Sequence, residues 1–80
     1  GADKLAARAQ AKLDGGKPLE AIHLLDIALG AEPSNVTALK VKQATLGKLL
    51  AESGGQNLSE TMWLKSEMTA TEAALGAKPA

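Results

Sequence analysis

Three short breaks rich in glycine, proline and asparagine divide this chain into four segments, and they constrain the fold more than any other feature. The breaks lie near residues 15–17, 30–34 and 53–57. Between them, apolar residues recur at spacings of three and four, which is the period of an amphipathic helix. Ala and Leu dominate, Phe and Tyr are absent, and β-branched residues are few. This composition is typical of close-packed helices, so the sequence predicts an all-α fold with no strand.

The first two segments predict one helical hairpin over about residues 3–30. Asp3 is the predicted N-cap of the first helix, which ends at Gly15. Pro18 lies where a second helix tolerates proline, in its first turn, and Gly30 is predicted to end that helix.

The last two segments predict a second hairpin over about residues 34–76. Asn35 belongs to a turn that caps the third helix, and Gly54 breaks that helix. Asn57 with Glu60 three residues later resembles a capping box at the start of a fourth helix, which ends at Gly76. Residues 1–80 are therefore expected to form a single domain. The N-terminal glycine, as after tag cleavage, suggests a fragment of a longer chain.

An internal repeat relates the two hairpins. The sequence ALGAEP at residues 28–33 recurs as ALGAKP at residues 74–79, and both copies close the second helix of a predicted hairpin. The first hairpin also resembles a tetratricopeptide repeat. A strict period of about 34 residues fails in the second hairpin, which must be an enlarged unit. The resemblance implies a right-handed stack of two antiparallel hairpins, and it rests on Gly16, Ala21, Leu25, Ala28 and Pro33.

Residues 6–75 also resemble the C-terminal part of the dimerisation domain of alkyl sulfatases in the metallo-β-lactamase superfamily. The segment around Trp63 departs from the pattern of those sulfatases, so a related hydrolase with the same helical appendage is the alternative. The shared residues are Ala9-Gln10, Leu13-Asp14, Gly16, Ala21, Leu24-Leu25, Ala31-Glu32-Pro33 and Asn35.

The resemblance implies that a parent enzyme holds two zinc ions in an N-terminal catalytic domain, through a His-x-His-x-Asp-His motif that this chain lacks. Catalytic zinc takes about three protein ligands, and this chain has a single histidine, His23. We therefore expect no catalytic, cofactor-binding or metal-ligating residue in this fragment. It should bind no stoichiometric zinc.

Charge and hydropathy exclude several partner classes. Nine basic and nine acidic residues are interspersed along the chain and cancel, which disfavours nucleic acid and anionic membrane surfaces as partners. No apolar run approaches the roughly 20 residues of a membrane span, and no segment resembles a signal peptide. Cysteine is absent, which is compatible with any compartment, so localisation stays open.

Isolated polar residues are interpreted as surface groups. His23 has Glu20 and Asp26 three residues away on either side, so a carboxylate–imidazole pair on the helix surface is one interpretation, and a ligand role is the alternative. Glu67 and Glu72 are interpreted as members of a solvated helix face rather than as acid–base groups.

The second hairpin carries more large apolar residues than one core can bury. Trp63 is either an anchor of the core or an interface residue. We expect the surplus to form a contact surface made of Trp63, Leu64, Met68 and Leu75. The predicted core comprises Leu13, Ala21, Leu24, Leu25, Ala28, Leu39, Leu46, Leu50, Met62 and Trp63.

These observations lead to three functional hypotheses. The first is a non-catalytic module that mediates homodimerisation or docking onto the catalytic domain of an alkyl-sulfatase-type hydrolase. The second is a free-standing tetratricopeptide-like scaffold that binds a peptide or partner protein. The third is a helical wall that lines the substrate cleft of the parent enzyme.

Overall fold

A computed structural model describes residues 1–76 of the chain, and every regular element in that range is a helix. The helices are α1 (Ala2–Asp14), α2 (Pro18–Ala31), α3 (Val36–Ser53) and α4 (Leu58–Gly76). The predictions of an all-α fold and of four helices are confirmed. The last three residues of the second repeat copy lie outside the described residues.

Residues outside the helices set most of the helix ends as predicted. The Asn35 side chain accepts a hydrogen bond from the Ala38 N–H at 2.9 Å, and Asn57 accepts one from the Glu60 N–H at 2.9 Å. Each bond satisfies a backbone donor that the first turn of a helix leaves unpaired. At the other end of α3, Gly54 adopts a left-handed conformation with φ of 61°. Glycine reaches that conformation without a steric penalty.

Two predicted helix ends are wrong. α1 begins at Ala2, so Asp3 lies in its first turn and accepts a hydrogen bond from the Asn35 amide at 2.8 Å. The cap is supplied from a distance, because the Glu32 carboxylate accepts the Ala2 N–H at 3.1 Å. α2 continues through Gly30 to Ala31. It ends because Pro33 disfavours helical geometry at Glu32, whose φ of −135° is extended.

The helices pack mainly against their neighbours along the chain. The backbones of α1 and α2, of α2 and α3, and of α3 and α4 lie side by side, and α3 also packs against α1. Among the described residues, the backbone of α4 lies close to α3 only. One side of α4 is therefore left without a helical neighbour.

Two apolar clusters hold these helices together. The first joins α1, α2 and α3 and is rich in alanine, whose small side chain allows a close approach between helices. The second joins α2, α3 and α4 through Ile22, Leu46 and Leu64, with Leu49, Leu50 and Met68 packed against it. The buried members of the first cluster are Ala2, Ala6, Ala9, Ala21, Leu25, Ala28, Ala38 and Val41.

Most of the predicted core is confirmed. Leu13, Leu24 and Leu50 are half-buried and pack against the clusters. The assignment of Met62 to the core is wrong, because 62% of this residue is exposed, and Trp63 is also half-exposed. The confirmed buried residues are Ala21, Leu25, Ala28, Leu39 and Leu46.

Candidate interaction surface

The described part of the chain encloses no pocket, and within it no group of three or more His, Cys, Asp or Glu side chains could hold a metal ion. His23 is exposed on α2. The two carboxylates flanking it have lysine partners on other helices instead: Glu20 pairs with Lys12 at 3.1 Å and Asp26 with Lys42 at 3.6 Å. The apolar surface of α4 is therefore the candidate functional feature.

The buried side of α4 differs from the sequence-based assignment. Leu64 is only 2% exposed and belongs to the second apolar cluster, so its placement in an exposed stripe is wrong. Met68 is half-buried and packs against the same cluster, and Leu75 is also half-buried. Of the four candidate interface residues, only Trp63 presents much of its surface to solvent, being 50% exposed.

The opposite side of α4 carries three large exposed apolar residues in its first two turns. Leu58 is 71% exposed and Met62 is 62% exposed, and Trp63 lies beside them. At about 3.6 residues per turn, these three side chains project from one broad face of the helix. Leu58 was absent from the predicted contact surface, and Met62 was assigned to the core. A helical wheel groups both on the face opposite Leu64, but it does not show which of the two faces is buried.

The same face continues toward the C-terminal end of α4 with small, exposed side chains. No charged residue lies among them: Lys65 and Glu72 are at one edge of the face, and Glu60 and Glu67 are at the other. We call this surface the outer α4 face. Beyond Leu58, Met62 and Trp63, it consists of Ser59, Ser66, Thr69, Ala70 and Ala73.

An ion-pair bridge links α4 to α3 and α2. Lys42 on α3 pairs with Glu67 on α4 at 3.0 Å, and with Asp26 on α2 at 3.6 Å. The Lys42 side chain is 14% exposed and that of Glu67 is 30% exposed. The interpretation of Glu67 as a solvated, unpaired group is therefore wrong. Glu72 is exposed, as expected.

A second pair of exposed apolar residues lies on α2. Leu19 is 72% exposed and Ile27 is 50% exposed. Exposed His23 lies between them on the same face, and the charged Glu20 and Asp26 flank it. Charged residues are depleted at the centres of protein interfaces, so the uncharged outer α4 face is the stronger candidate.

Comparisons with protein-family models, curated proteins and solved structures give no match to this chain. Within residues 1–76, no helix is long and apolar enough to cross a membrane.

Proposed function

We propose that this domain is a non-catalytic protein–protein interaction module that binds through its outer α4 face. The observation that carries the proposal is the exposure of Leu58, Met62 and Trp63 on a helix whose backbone, within residues 1–76, lies beside α3 only. Contiguous apolar patches on a soluble domain mark interaction sites, and Trp is enriched among residues that dominate binding energy. The partner is a second copy of the chain or a catalytic domain to which the module is attached.

The resemblance to alkyl sulfatases supplies the larger context of the proposal. In that context the module is the helical appendage of a metallo-β-lactamase-fold hydrolase, and zinc belongs to the catalytic domain of the parent enzyme. Finding a His-x-His-x-Asp-His motif upstream in the full-length protein would support this assignment. Further helical repeats of about 34 residues upstream would favour a repeat scaffold instead.

The alternative function is a free-standing tetratricopeptide-like scaffold that binds a peptide or partner protein. The helix contacts suit the architecture of such a scaffold better than that of a closed four-helix bundle. In a closed up-and-down bundle the fourth helix returns to pack against the first. Here α3 packs against both helices of the first hairpin, and the backbone of α4 approaches α3 alone among the described elements. This order of contacts suits two stacked hairpins, in which each unit contacts only its neighbour.

Self-association measured by sedimentation equilibrium tests the leading proposal. Leu58→Glu and Met62→Glu place a charge in the outer α4 face, and we expect each to weaken association at least tenfold, which corresponds to about 1.4 kcal/mol. Leu19→Glu is the matched control. Leu19 is as exposed as Leu58, at 72% against 71%, and both residues lie in the first turn of a helix.

The control variant should associate like the wild type, and all variants should keep the helical circular dichroism of the wild type. A wild-type chain that stays monomeric up to about 1 mM would exclude any dimer of useful affinity. Equal losses in the Leu19 and Leu58 variants would instead show that the outer α4 face has no special role.

A further inference from the structure

We infer that a second copy of this chain covers the outer α4 face, with the two α4 helices antiparallel about a two-fold axis that passes between Ser66 and Thr69. This inference rests on the proposed function and specifies its partner. Its basis is the distribution of side-chain size and charge along α4, together with the area that the face offers.

Side-chain size along the outer α4 face is graded in a way that suits only one orientation. The large residues Leu58, Met62 and Trp63 lie toward the N-terminal end, and the face beyond them carries small residues such as Ala70 and Ala73. In an antiparallel pair, Ala73 and Ala70 of the partner lie near the level of Met62 and Trp63, so small side chains oppose large ones over this part of the two helices. A parallel partner would oppose large with large and small with small, which leaves a gap at one end.

A two-fold axis makes this match reciprocal, since each copy offers the same surface to the other. With the axis between Ser66 and Thr69, Met62 of one copy lies opposite Ala73 of the other, and the reverse contact is identical. Ser66 and Thr69 meet near the axis, where short side chains allow close approach.

Charges at one edge of the face fit the same arrangement. Lys65 and Glu72 lie on the same edge and are seven residues apart, about 10 Å along the helix, which is too far for an ion pair within α4. Within residues 1–76 neither has an ion-pair partner. In the antiparallel pair equivalent edges lie side by side, so Lys65 of one copy comes beside Glu72 of the other, twice. At the other edge, Glu67 of each copy is already paired with Lys42 of its own chain, which offsets the repulsion between the two acidic edges.

The available area predicts a weak dimer. From the exposed fractions of its residues, the outer α4 face offers on the order of 600 Å² per copy, against the roughly 800 Å² per partner of a standard stable interface. We therefore expect a weak dimer that dissociates on dilution, because small interfaces leave little surplus after the entropic cost of association.

Single-cysteine crosslinking tests the orientation directly, because the chain contains no cysteine. Ser59 and Ser66 are exposed serines two turns apart on the same face. In the antiparallel pair, each Ser66 lies about 5 Å along the axis from its mate, whereas each Ser59 lies about 25 Å from its mate. A short bismaleimide should therefore crosslink Ser66→Cys into a dimer and leave Ser59→Cys monomeric.

Crosslinking of both variants would show a parallel pair and overturn the inference. Failure of both to crosslink, while Leu58→Glu and Met62→Glu still weaken association, would also overturn it and leave the proposed function intact.

A charge exchange gives an independent readout. Lys65→Glu should weaken association severalfold, and adding Glu72→Lys to the same chain should restore it. No restoration would contradict the antiparallel register.

Discussion

Replacing Leu64 by alanine tests the rotation of α4 about its own axis, on which the outer α4 face depends. Leu64 is 2% exposed and shares a cluster with Leu46 and Ile22, whereas its neighbour Trp63 is 50% exposed. Leu64→Ala removes three buried carbon atoms, at about 0.8 kcal/mol each. The residual cavity adds a further cost. That addition should be small, because α4 lies beside a single helix among the described elements and can move inward. We expect a total loss of about 2.5–3.5 kcal/mol.

Trp63→Ala should cost less, about 1–2 kcal/mol, because half of the Trp63 surface is already in water and alanine is a better helix former. Urea unfolding followed by circular dichroism measures both free energies. The experiment should be performed well below the dissociation constant of any dimer, so that association does not add to stability. In a domain of this size the Leu64 variant should melt roughly 10–25 °C below the wild type. If Trp63→Ala were the more destabilising change, α4 would be rotated and the outer face wrongly assigned.

Three further predictions concern packing around α3 and α4. Gly47→Ala should raise the free energy of unfolding by about 0.5–1 kcal/mol in thermal melts, because alanine favours the helix and its methyl group would meet Met68 at an ordinary 3.9 Å. Thr61→Val should be neutral or stabilising by up to about 1 kcal/mol, because the buried Thr61 hydroxyl has no hydrogen-bond partner in the described structure. In a double-mutant cycle, Lys42→Met and Glu67→Gln should show a coupling energy of about 0.5–1.5 kcal/mol that decreases in high salt. Additive effects would mean that the ion pair does not contribute to the orientation of α4.

Local chemistry explains why the number of helices and several of their ends are predictable from sequence. Asn35 and Asn57 cap the turns that immediately follow them, and Gly54 adopts its left-handed conformation regardless of distant packing. Each signal acts within about four residues, which is the range of a helix cap. The two helix ends that were wrongly predicted depend on a distant residue or on competing local signals. Glu32 caps α1 from thirty residues away.

The end of α2 shows how two local signals compete. Gly30 lies one residue before the end of the helix and does not adopt a positive φ. Pro33 excludes helical geometry at the residue before it, and this steric restriction is stronger than the weak helix propensity of glycine. The helix therefore persists through Gly30 and ends at Ala31.

The orientation of α4 was not predictable from its own sequence, because this helix carries apolar residues on two opposite sides. One side contains Leu64, Met68 and Leu75, and the other contains Leu58 and Met62. Either side alone satisfies the pattern of an amphipathic helix, so periodicity cannot select between them. The selection comes from packing outside α4, because Leu64 and Met68 join a cluster with Leu46 of α3 and Ile22 of α2. The ion pair between Lys42 and Glu67 adds a smaller contribution to the same orientation.

The same ambiguity is the physical basis of the proposed interaction. A helix with a single apolar side would satisfy its burial requirement against α3 and present a charged face to solvent. α4 instead retains Leu58 and Met62 on a face without charge, where their exposure to water brings no gain in the stability of the monomer. No contact within residues 1–76 removes that surface from water, so its burial requires a contact beyond these residues. If Leu58→Ser and Met62→Ser together left both stability and self-association unchanged, these residues would be tolerated surface residues, and the argument for an interface would fail.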